Sequence, residues 1–200
     1  MKKILIILLL IPVFVLSQTT EEFDFVSPLN DGVSAVQKGN SWGFINDKGD
    51  IFIAFRDDLF VTENEGHKYP IFKNNRCLIS EIKEGITYFG FIDKTGETII
   101  EPKFLNALNF DNDETIALEL IKDVIGENDV LKKNIVNYKY CEVILTSDGT
   151  IKHYLNPKGV RIVLDKKFLK APPEITSKFI SNSLVAVKNE NKKWIIKLIE

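Results

Sequence analysis

Short apolar runs separated by polar turns recur along most of the chain. The runs are rich in Val, Ile, Phe, Thr and Tyr, which strands prefer, as in residues 51–55 and 98–100. Asp148-Gly149 is a strong hairpin signal. Prolines stand between runs and are poor candidates for strand centres: Pro28, Pro70, Pro102, Pro157, Pro172 and Pro173. The pattern predicts an all-β fold.

Residues 114–131 are compatible with either a helix or a strand. Ile116, Leu120 and Val124 recur at four-residue spacing, which is typical of one face of a helix. Ile116, Leu118 and Leu120 also occupy alternate positions, as they would in a strand. The repeat alignment described next favours the strand. We therefore predict a strand over residues 115–121 and a loop over residues 126–129.

Two segments match at an offset of 47 residues. Each begins with an aromatic residue, a glycine and an apolar pair, Trp42-Gly43-Phe44-Ile45 and Phe89-Gly90-Phe91-Ile92. A second glycine, Gly49 or Gly96, follows six residues after the first and ends a polar turn. Glycine at such a position fits a backbone with positive φ. The match indicates an internal repeat.

A short apolar strand precedes each match, and it extends the alignment to four copies. Residues 31–36 are laid on residues 75–80, 113–118 and 182–187. The predicted repeats span residues 25–57, 69–104, 111–168 and 178–200 within one domain, residues 18–200.

The last two copies are degenerate. In the third we place extra residues ahead of the second strand, and His153-Tyr154-Leu155 then stands where Gly90-Phe91-Ile92 stood. Asn156 to Gly159 matches the turn from Asp93 to Gly96, and residues 165–168 match residues 101–104. In the fourth copy Trp194 falls where Trp42 did.

The order of these residues resembles the WG-repeat family, which is found widely in bacterial envelope and secreted proteins. The resemblance implies an array of about four β-hairpin repeats forming a curved or superhelical sheet, with an open propeller-like arrangement as the alternative. It implies neither an enzymatic activity nor an agreed ligand. The motif residues it assigns, all structural, are Trp42, Gly43, Gly49, Phe89, Gly90, Gly96, Pro102, Gly159 and Trp194.

The N-terminus predicts export. Two lysines precede an apolar run over residues 4–16, and small residues follow at a cleavage point after Ser17. We predict a signal peptide over residues 1–17 and a periplasmic or extracellular mature chain; the alternative is an uncleaved anchor. The run is shorter than a membrane-spanning helix requires and contains Pro12. No cysteine follows it, so a lipid anchor is not supported.

Charge and composition exclude several classes of function. The chain carries 26 Lys and Arg against 28 Asp and Glu, a net charge of -2. Nucleic-acid binding usually needs a clear basic excess, so no nucleic-acid partner is predicted. No membrane span is expected after signal cleavage. Two cysteines are too few for a disulfide-dense scaffold.

No residues combine into a recognisable catalytic, cofactor or metal site. His67 and His153 lack a second ligand at metal spacing. Cys77 and Cys141 lie in predicted strands, either as buried apolar residues, as a disulfide pair or as reactive thiols. The acidic runs at residues 57–58 and 111–114 fit solvated turns, and the second lacks the glycine and distal glutamate of a calcium loop. We expect no enzyme and no cofactor.

Three hypotheses about function stay open at this point. The first is a binding module for another envelope protein, with the insertion in the third repeat as the binding face. The second is an envelope glycan-binding module, which requires solvent-facing aromatics; we expect Trp42, Phe89 and Trp194 to pack in the core instead. The third is a hydrolase that uses clustered acids such as Asp57, Asp58 and Glu101.

Overall fold

A computed structural model describes residues 21–128 and 132–199, and within them all regular structure is β-strand. The predicted signal peptide lies outside the described residues. The all-β prediction is therefore confirmed, with strands arranged in several antiparallel sheets.

Each sheet has its strands in nearly sequential order. The first sheet holds β1 (Phe25–Val26), β2 (Val33–Lys38), β3 (Ser41–Asn46) and β4 (Ile51–Arg56). A small hairpin follows, made of β5 (Thr62–Asn64) and β6 (His67–Tyr69). The largest sheet holds β7 (Phe72–Lys73), β8 (Arg76–Lys83), β9 (Ile86–Ile92), β10 (Thr98–Ala107), β11 (Glu114–Asn128), β12 (Lys133–Thr146), β13 (Ile151–Tyr154) and β14 (Val160–Ile162). The last sheet holds β15 (Lys178–Ser181), β16 (Leu184–Lys188) and β17 (Trp194–Leu198).

The strands follow one repeating plan. A first strand (β2, β8, β11 or β15) pairs with a second strand (β3, β9, β12 or β16), and a third strand (β4, β10, β13 or β17) returns along the second. The turn after β16 closes from Asn189 N–H to Lys193 O as the turn after β3 closes from Asn46 N–H to Asp50 O, so the predicted match of residues 182–187 to residues 31–36, and of Trp194 to Trp42, was wrong. The third strand also leads into the next repeat, because β10 pairs with both β9 and β11. The second and third repeats are thus joined through one shared strand.

The glycine of the Trp-Gly motif is required by the third strand. That strand bulges as it crosses the motif, and a Cβ on Gly43 would lie 2.9 Å from the Ile53 carbonyl oxygen. A Cβ on Gly90 would lie 2.3 Å from the Ile100 oxygen. Only glycine allows the two backbones to approach this closely.

In the first three repeats, the turn that enters the first strand corrects the predicted alignment by one residue in two copies. Its two central residues have positive φ, at Asp31 and Gly32, Asn74 and Asn75, and Asn112 and Asp113. Asn74 and Asn112 therefore occupy the place of Asp31, rather than Asn75 and Asp113. Asparagine and aspartate adopt positive φ more readily than most residues, so both turn positions can be filled without glycine, and the predicted match of Asp31 to Asn75 and Asp113 was wrong by one residue.

The third repeat differs more from the prediction. The five-residue turn that follows the second strand, closed by Asp93 N–H to Glu97 O at 3.0 Å, recurs from Thr146 N–H to Thr150 O at 3.0 Å. The second strand of this repeat is therefore β12, and Val143 takes the place of the motif glycine. The placement of His153-Tyr154-Leu155 and of the turn from Asn156 to Gly159 at the motif was wrong. Strand β13 pairs regularly opposite Val143, through Tyr154, and its register shift lies between Ile144 and Leu145, so no bulge crosses the motif position and no glycine is needed there.

Three further expectations are corrected. Residues 126–128 belong to β11 and pair with β12, so the predicted loop is strand up to the limit of the described residues. Pro102 lies inside β10, where the register shifts between Ile100 and Phe104 and so tolerates a residue without an N–H. Residues 165–168 form a turn with Phe168 exposed, unlike the strand at residues 101–104.

The hydrophobic core consists of successive clusters between neighbouring repeats rather than one central cluster. One cluster joins the first two repeats, including Trp42, Phe44 and Cys77. A second joins the second and third repeats, and a third cluster packs β11 and β12 against β16. Each repeat buries its apolar face against its neighbours, as expected for a repeat array.

Candidate functional site

Two of the three motif aromatics are buried. Trp42 contacts Phe25 edge to face at a centroid distance of 5.6 Å, and Phe89 contacts Phe60 in the same manner at 4.8 Å. Trp194 is different, because 46% of it is exposed and the ammonium groups of Lys178 and Lys188 each lie 5.1 Å from its ring centroid. The expected core packing is found for Trp42 and Phe89 and not for Trp194.

The motif glycines in the turns adopt backbone conformations that most other residues disfavour. Gly49, Gly96 and Gly159 all have positive φ at turns. Gly49 and Gly96 close equivalent turns, and Gly149 does so in the third repeat, whereas Gly159 closes the separate turn that replaces the bulge. These residues shape the array and hold no ligand chemistry of their own.

The acidic residues proposed for a hydrolase do not form one cluster. Asp57 and Asp58 each bind a nearby side chain, and Glu101 lies outside the cavity that these two residues line. Asp58 binds the Arg56 guanidinium through both carboxylate oxygens, at 2.5 and 2.6 Å. Asp57 accepts a hydrogen bond from the Ser41 hydroxyl. Both line a shallow cavity with residues 52–56, and Glu101 is not among its lining residues. These three carboxylates therefore do not converge on one cleft.

Cys77 and Cys141 are free thiols, and both are fully buried. They belong to different core clusters, so the disulfide alternative is not supported. Burial raises the pKa of each thiol, which keeps both protonated and unreactive. In the described residues no group of three or more His, Cys, Asp or Glu side chains could hold a metal ion.

The insertion of the third repeat is a long hairpin. Strands β11 and β12 pair from Glu114–Thr146 to Asn128–Lys133, whereas β10 pairs with β11 only as far as Glu119. On the other side, β13 and β14 pair with β12 no farther out than Tyr138. Both edges of the outer hairpin, from Leu120 on β11 and before Tyr138 on β12, lack a neighbouring strand among the described residues.

The inner and outer parts of this hairpin have different surroundings. In the inner part, Leu118, Leu120 and Tyr140 pack with β14 and with residues of β9 and β10, and this burial raises the pKa of Tyr140. In the outer part, Val124 is 57%, Ile125 60% and Ile135 46% exposed. We call these three residues the aliphatic patch. A bulge between Val124 and Gly126 sets Ile125 off the regular register.

Glu142 occupies the position in the third repeat that tryptophan holds in the first. Its side chain is buried, and its carboxylate accepts hydrogen bonds from the N–H groups of Thr176 and Ser177 at 2.8 and 3.1 Å. Both hydroxyl groups of those residues also donate to it. The carboxylate thus fastens the segment before β15 to the long hairpin. The sequence showed no signal for this role, because a lone glutamate in a strand usually faces solvent.

The repeats themselves have a counterpart among known proteins. The family model described as the WG containing repeat matches residues 22–42 and 89–118. These two stretches are similar to the WG containing repeat, which confirms the resemblance seen in the sequence. The second match runs from β9 through β10 into β11, so the WG unit crosses the boundary between two repeats as we defined them. No curated protein and no solved structure shows a significant match to the chain.

The chain offers little else that defines a site. In the part that the structure describes, no helix is long and apolar enough to cross a membrane. His67 is exposed on β6, and His153 lies half-buried on β13. The aliphatic patch and the sheet that bears Trp194 remain as the surfaces with distinctive chemistry.

Proposed function

We propose that this WG-repeat protein is a non-catalytic binding module that is exported to the periplasm or beyond and attaches to another protein of the cell envelope. The signal-peptide pattern at residues 1–17 supports export. Arrays of repeats bury their cores between neighbours and present long surfaces, which favours binding over catalysis.

The observation that carries the proposal is the aliphatic patch on the outer hairpin. Val124, Ile125 and Ile135 gain nothing from exposure to water, and exposed aliphatic side chains on a projecting element suit a protein contact. The unpaired edges beside them offer backbone N–H and C=O groups to the same partner.

The chemistry of the patch favours a protein over a glycan. Sugar rings stack on open aromatic faces, and the patch contains only aliphatic side chains. Trp194 is exposed, but two ammonium groups lie against its ring. Glycan binding remains the alternative function, and a hydrolase is the least supported of the three.

The test compares capture of partners from envelope extracts by three forms of residues 18–200. The first is the unaltered chain, and the second carries V124S, I125S and I135S. The third is a matched control in which three exposed apolar residues elsewhere are changed, I82S, V163S and F168S. Captured proteins are identified by mass spectrometry, and binding of the purified partner is then measured directly.

We expect a protein that the unaltered chain and the control both retain and that the patch variant loses. Equal retention by all three forms would refute the role of the hairpin. Retention of envelope polysaccharide with no protein partner would instead support the glycan-binding alternative.

A further inference from the structure

One phenylalanine is highly exposed in the segment that leads from β14 to the last sheet. Phe168 is 72% exposed, compared with 46% for Trp194 and 42% for Phe52. Val163, which begins the same segment, is 58% exposed. Because a phenylalanine ring gains free energy when it leaves water, these positions favour an interaction surface.

The turn that carries Phe168 is fixed by its own hydrogen bonds and by the core. The N–H groups of Phe168 and Leu169 both donate to the Asp165 carbonyl oxygen at 2.9 Å. The N–H group of Lys167 donates to the Asp165 carboxylate at 2.8 Å. Leu169 packs against a buried cluster from β9, β10 and β11. The same turn therefore anchors Leu169 in the protein and holds Phe168 in solvent.

Three lysines surround the exposed ring in the sequence. Lys166, Lys167 and Lys170 are all exposed, and none of them forms an ion pair with another residue that the structure describes. The side chain of Lys166 lies across Gly85, where an added Cβ would be 2.9 Å from its Cδ. Residues 163–172 contain these three lysines and a single acid, whereas the whole chain has a net charge of -2. The turn is therefore locally basic on a slightly acidic protein.

The shape of this surface favours a lipid bilayer over a folded protein. A cavity beside Leu169 and Lys170 has a volume of only about 20 Å³, too small to accept a side chain of a partner. A stable protein contact needs roughly 800 Å² of complementary surface on each partner, whereas a fluid bilayer adapts to one projecting ring. Aromatic rings settle at the level of the lipid headgroups, and lysine side chains extend to the phosphates around them.

We propose that the turn at residues 165–170 attaches the protein to an anionic bilayer surface, with the Phe168 ring inserted among the lipid headgroups and the three lysines bound to lipid phosphates. The attachment is peripheral and reversible, because one ring and three cations provide far less binding than a membrane-spanning helix. This surface is separate from the aliphatic patch and does not depend on it.

The first test measures sedimentation of residues 18–200 with vesicles of phosphatidylcholine, alone or mixed with anionic phosphatidylglycerol. We expect attachment to the mixed vesicles, weakened by added salt, and little attachment to phosphatidylcholine alone. Phe168→Ser should weaken attachment about tenfold or more, and Phe168→Trp should preserve it. Phe52→Ser is the matched control, since Phe52 is exposed in another repeat, and it should leave attachment unchanged.

The second test concerns the charges. One variant changes the three lysines of the turn, K166Q, K167Q and K170Q. Its matched control changes three exposed lysines elsewhere, K48Q, K68Q and K73Q. Both variants have the same net charge, so a difference between them reports the position of the lysines. We expect the first to weaken attachment about tenfold or more and the second by about threefold or less.

Glu84 provides a test of opposite sign. It precedes Gly85 at the tip that the Lys166 side chain crosses, so its carboxylate opposes an anionic surface at this position. Glu84→Gln should therefore strengthen attachment to the mixed vesicles. Circular dichroism and thermal unfolding establish that all variants are folded.

Three results would overturn the proposal. The first is failure of the unaltered chain to bind the mixed vesicles, and the second is equal attachment of Phe168→Ser and Phe52→Ser. The third comes from the capture experiment described above: loss of a protein by the control form that carries F168S would make a protein the occupant of this turn. The V124S, I125S and I135S form should bind vesicles as the unaltered chain does, so the two surfaces are tested independently.

Discussion

At the motif positions, the close approach of a neighbouring backbone decides which residue is accepted, more than the chemistry of the side chain does. Gly90 illustrates this, because the carbonyl of Ile100 and the nitrogen of Pro102 lie where a Cβ would be placed, at 2.3 and 2.7 Å. Where the third strand pairs in regular register instead, as Tyr154 does opposite Val143, a valine is accepted at the equivalent position. The motif glycine is therefore required only where the neighbouring third strand bulges against it.

Gly90→Ala should destabilise the fold by about 1–3 kcal/mol, because the added methyl group forces the bulge of β10 to move. The free energy of unfolding is measured with urea. Gly126→Ala is the matched control, since a Cβ there meets nothing within 4 Å and its φ is not positive. It should be neutral or stabilise slightly. Equal effects of the two substitutions would contradict this account of the motif.

The sequence predicted this level of structure in part. Motif glycines and apolar alternation were sufficient to identify strands and the first two repeats, because these signals are local. The tolerance of Pro102 and the role of Glu142 were not predictable, because both depend on segments distant in the chain: the register between β9 and β10 and the approach of residues 176–177.

At the scale of elements, the junction between the third and fourth repeats depends on one carboxylate. Glu142 stands where an aromatic residue packs in the first two repeats, and it accepts four hydrogen bonds from the segment leading to β15. Hydrogen bonds to a buried carboxylate thus replace apolar packing at this junction. Its four donors balance the cost of burying a charge.

Glu142→Gln should lower the free energy of unfolding by about 1.5–3 kcal/mol, because the amide turns donor groups toward the N–H of Thr176 or Ser177. Hydrogen exchange at these two N–H groups should accelerate. Glu81→Gln is the control, since its partner Lys83 is also well exposed and the loss should be within about 0.5 kcal/mol. Unchanged hydrogen exchange at Thr176 and Ser177 in Glu142→Gln would show that the hydrogen bonds to this carboxylate do not order the segment before β15.

At the scale of the molecule, the second and third repeats are joined through one strand that belongs to both. Because β10 pairs with β9 and with β11, the second repeat cannot lose its third strand without exposing the third repeat. The sequence predicted an array but not this sharing, since pairing between repeats leaves no local signal in either strand. The long hairpin escaped prediction for a related reason, because its pairing extends an ordinary strand.

The reactivity of the two buried thiols can measure whether the second and third repeats open together. Cys77 lies in β8 and Cys141 in β12, in different clusters. If the shared strands make the array cooperative, both thiols should become reactive through the same opening, with equal dependence on denaturant. Labelling of the single-cysteine variants Cys141→Ala and Cys77→Ala measures each rate. Different denaturant slopes would mean that the second and third repeats open separately.

The tip between the first and second strands has a further consequence for how such proteins diversify. The tip is short at Lys38–Ser41 and at Lys83–Ile86, and it extends to Asn128–Lys133 in the third repeat. The length of the tip varies while buried residues beside it, such as Trp42 and Ile86, pack in clusters that join neighbouring repeats. Each repeat thus provides a position where recognition segments can be exchanged while the scaffold is kept, both in natural variation and in laboratory grafting.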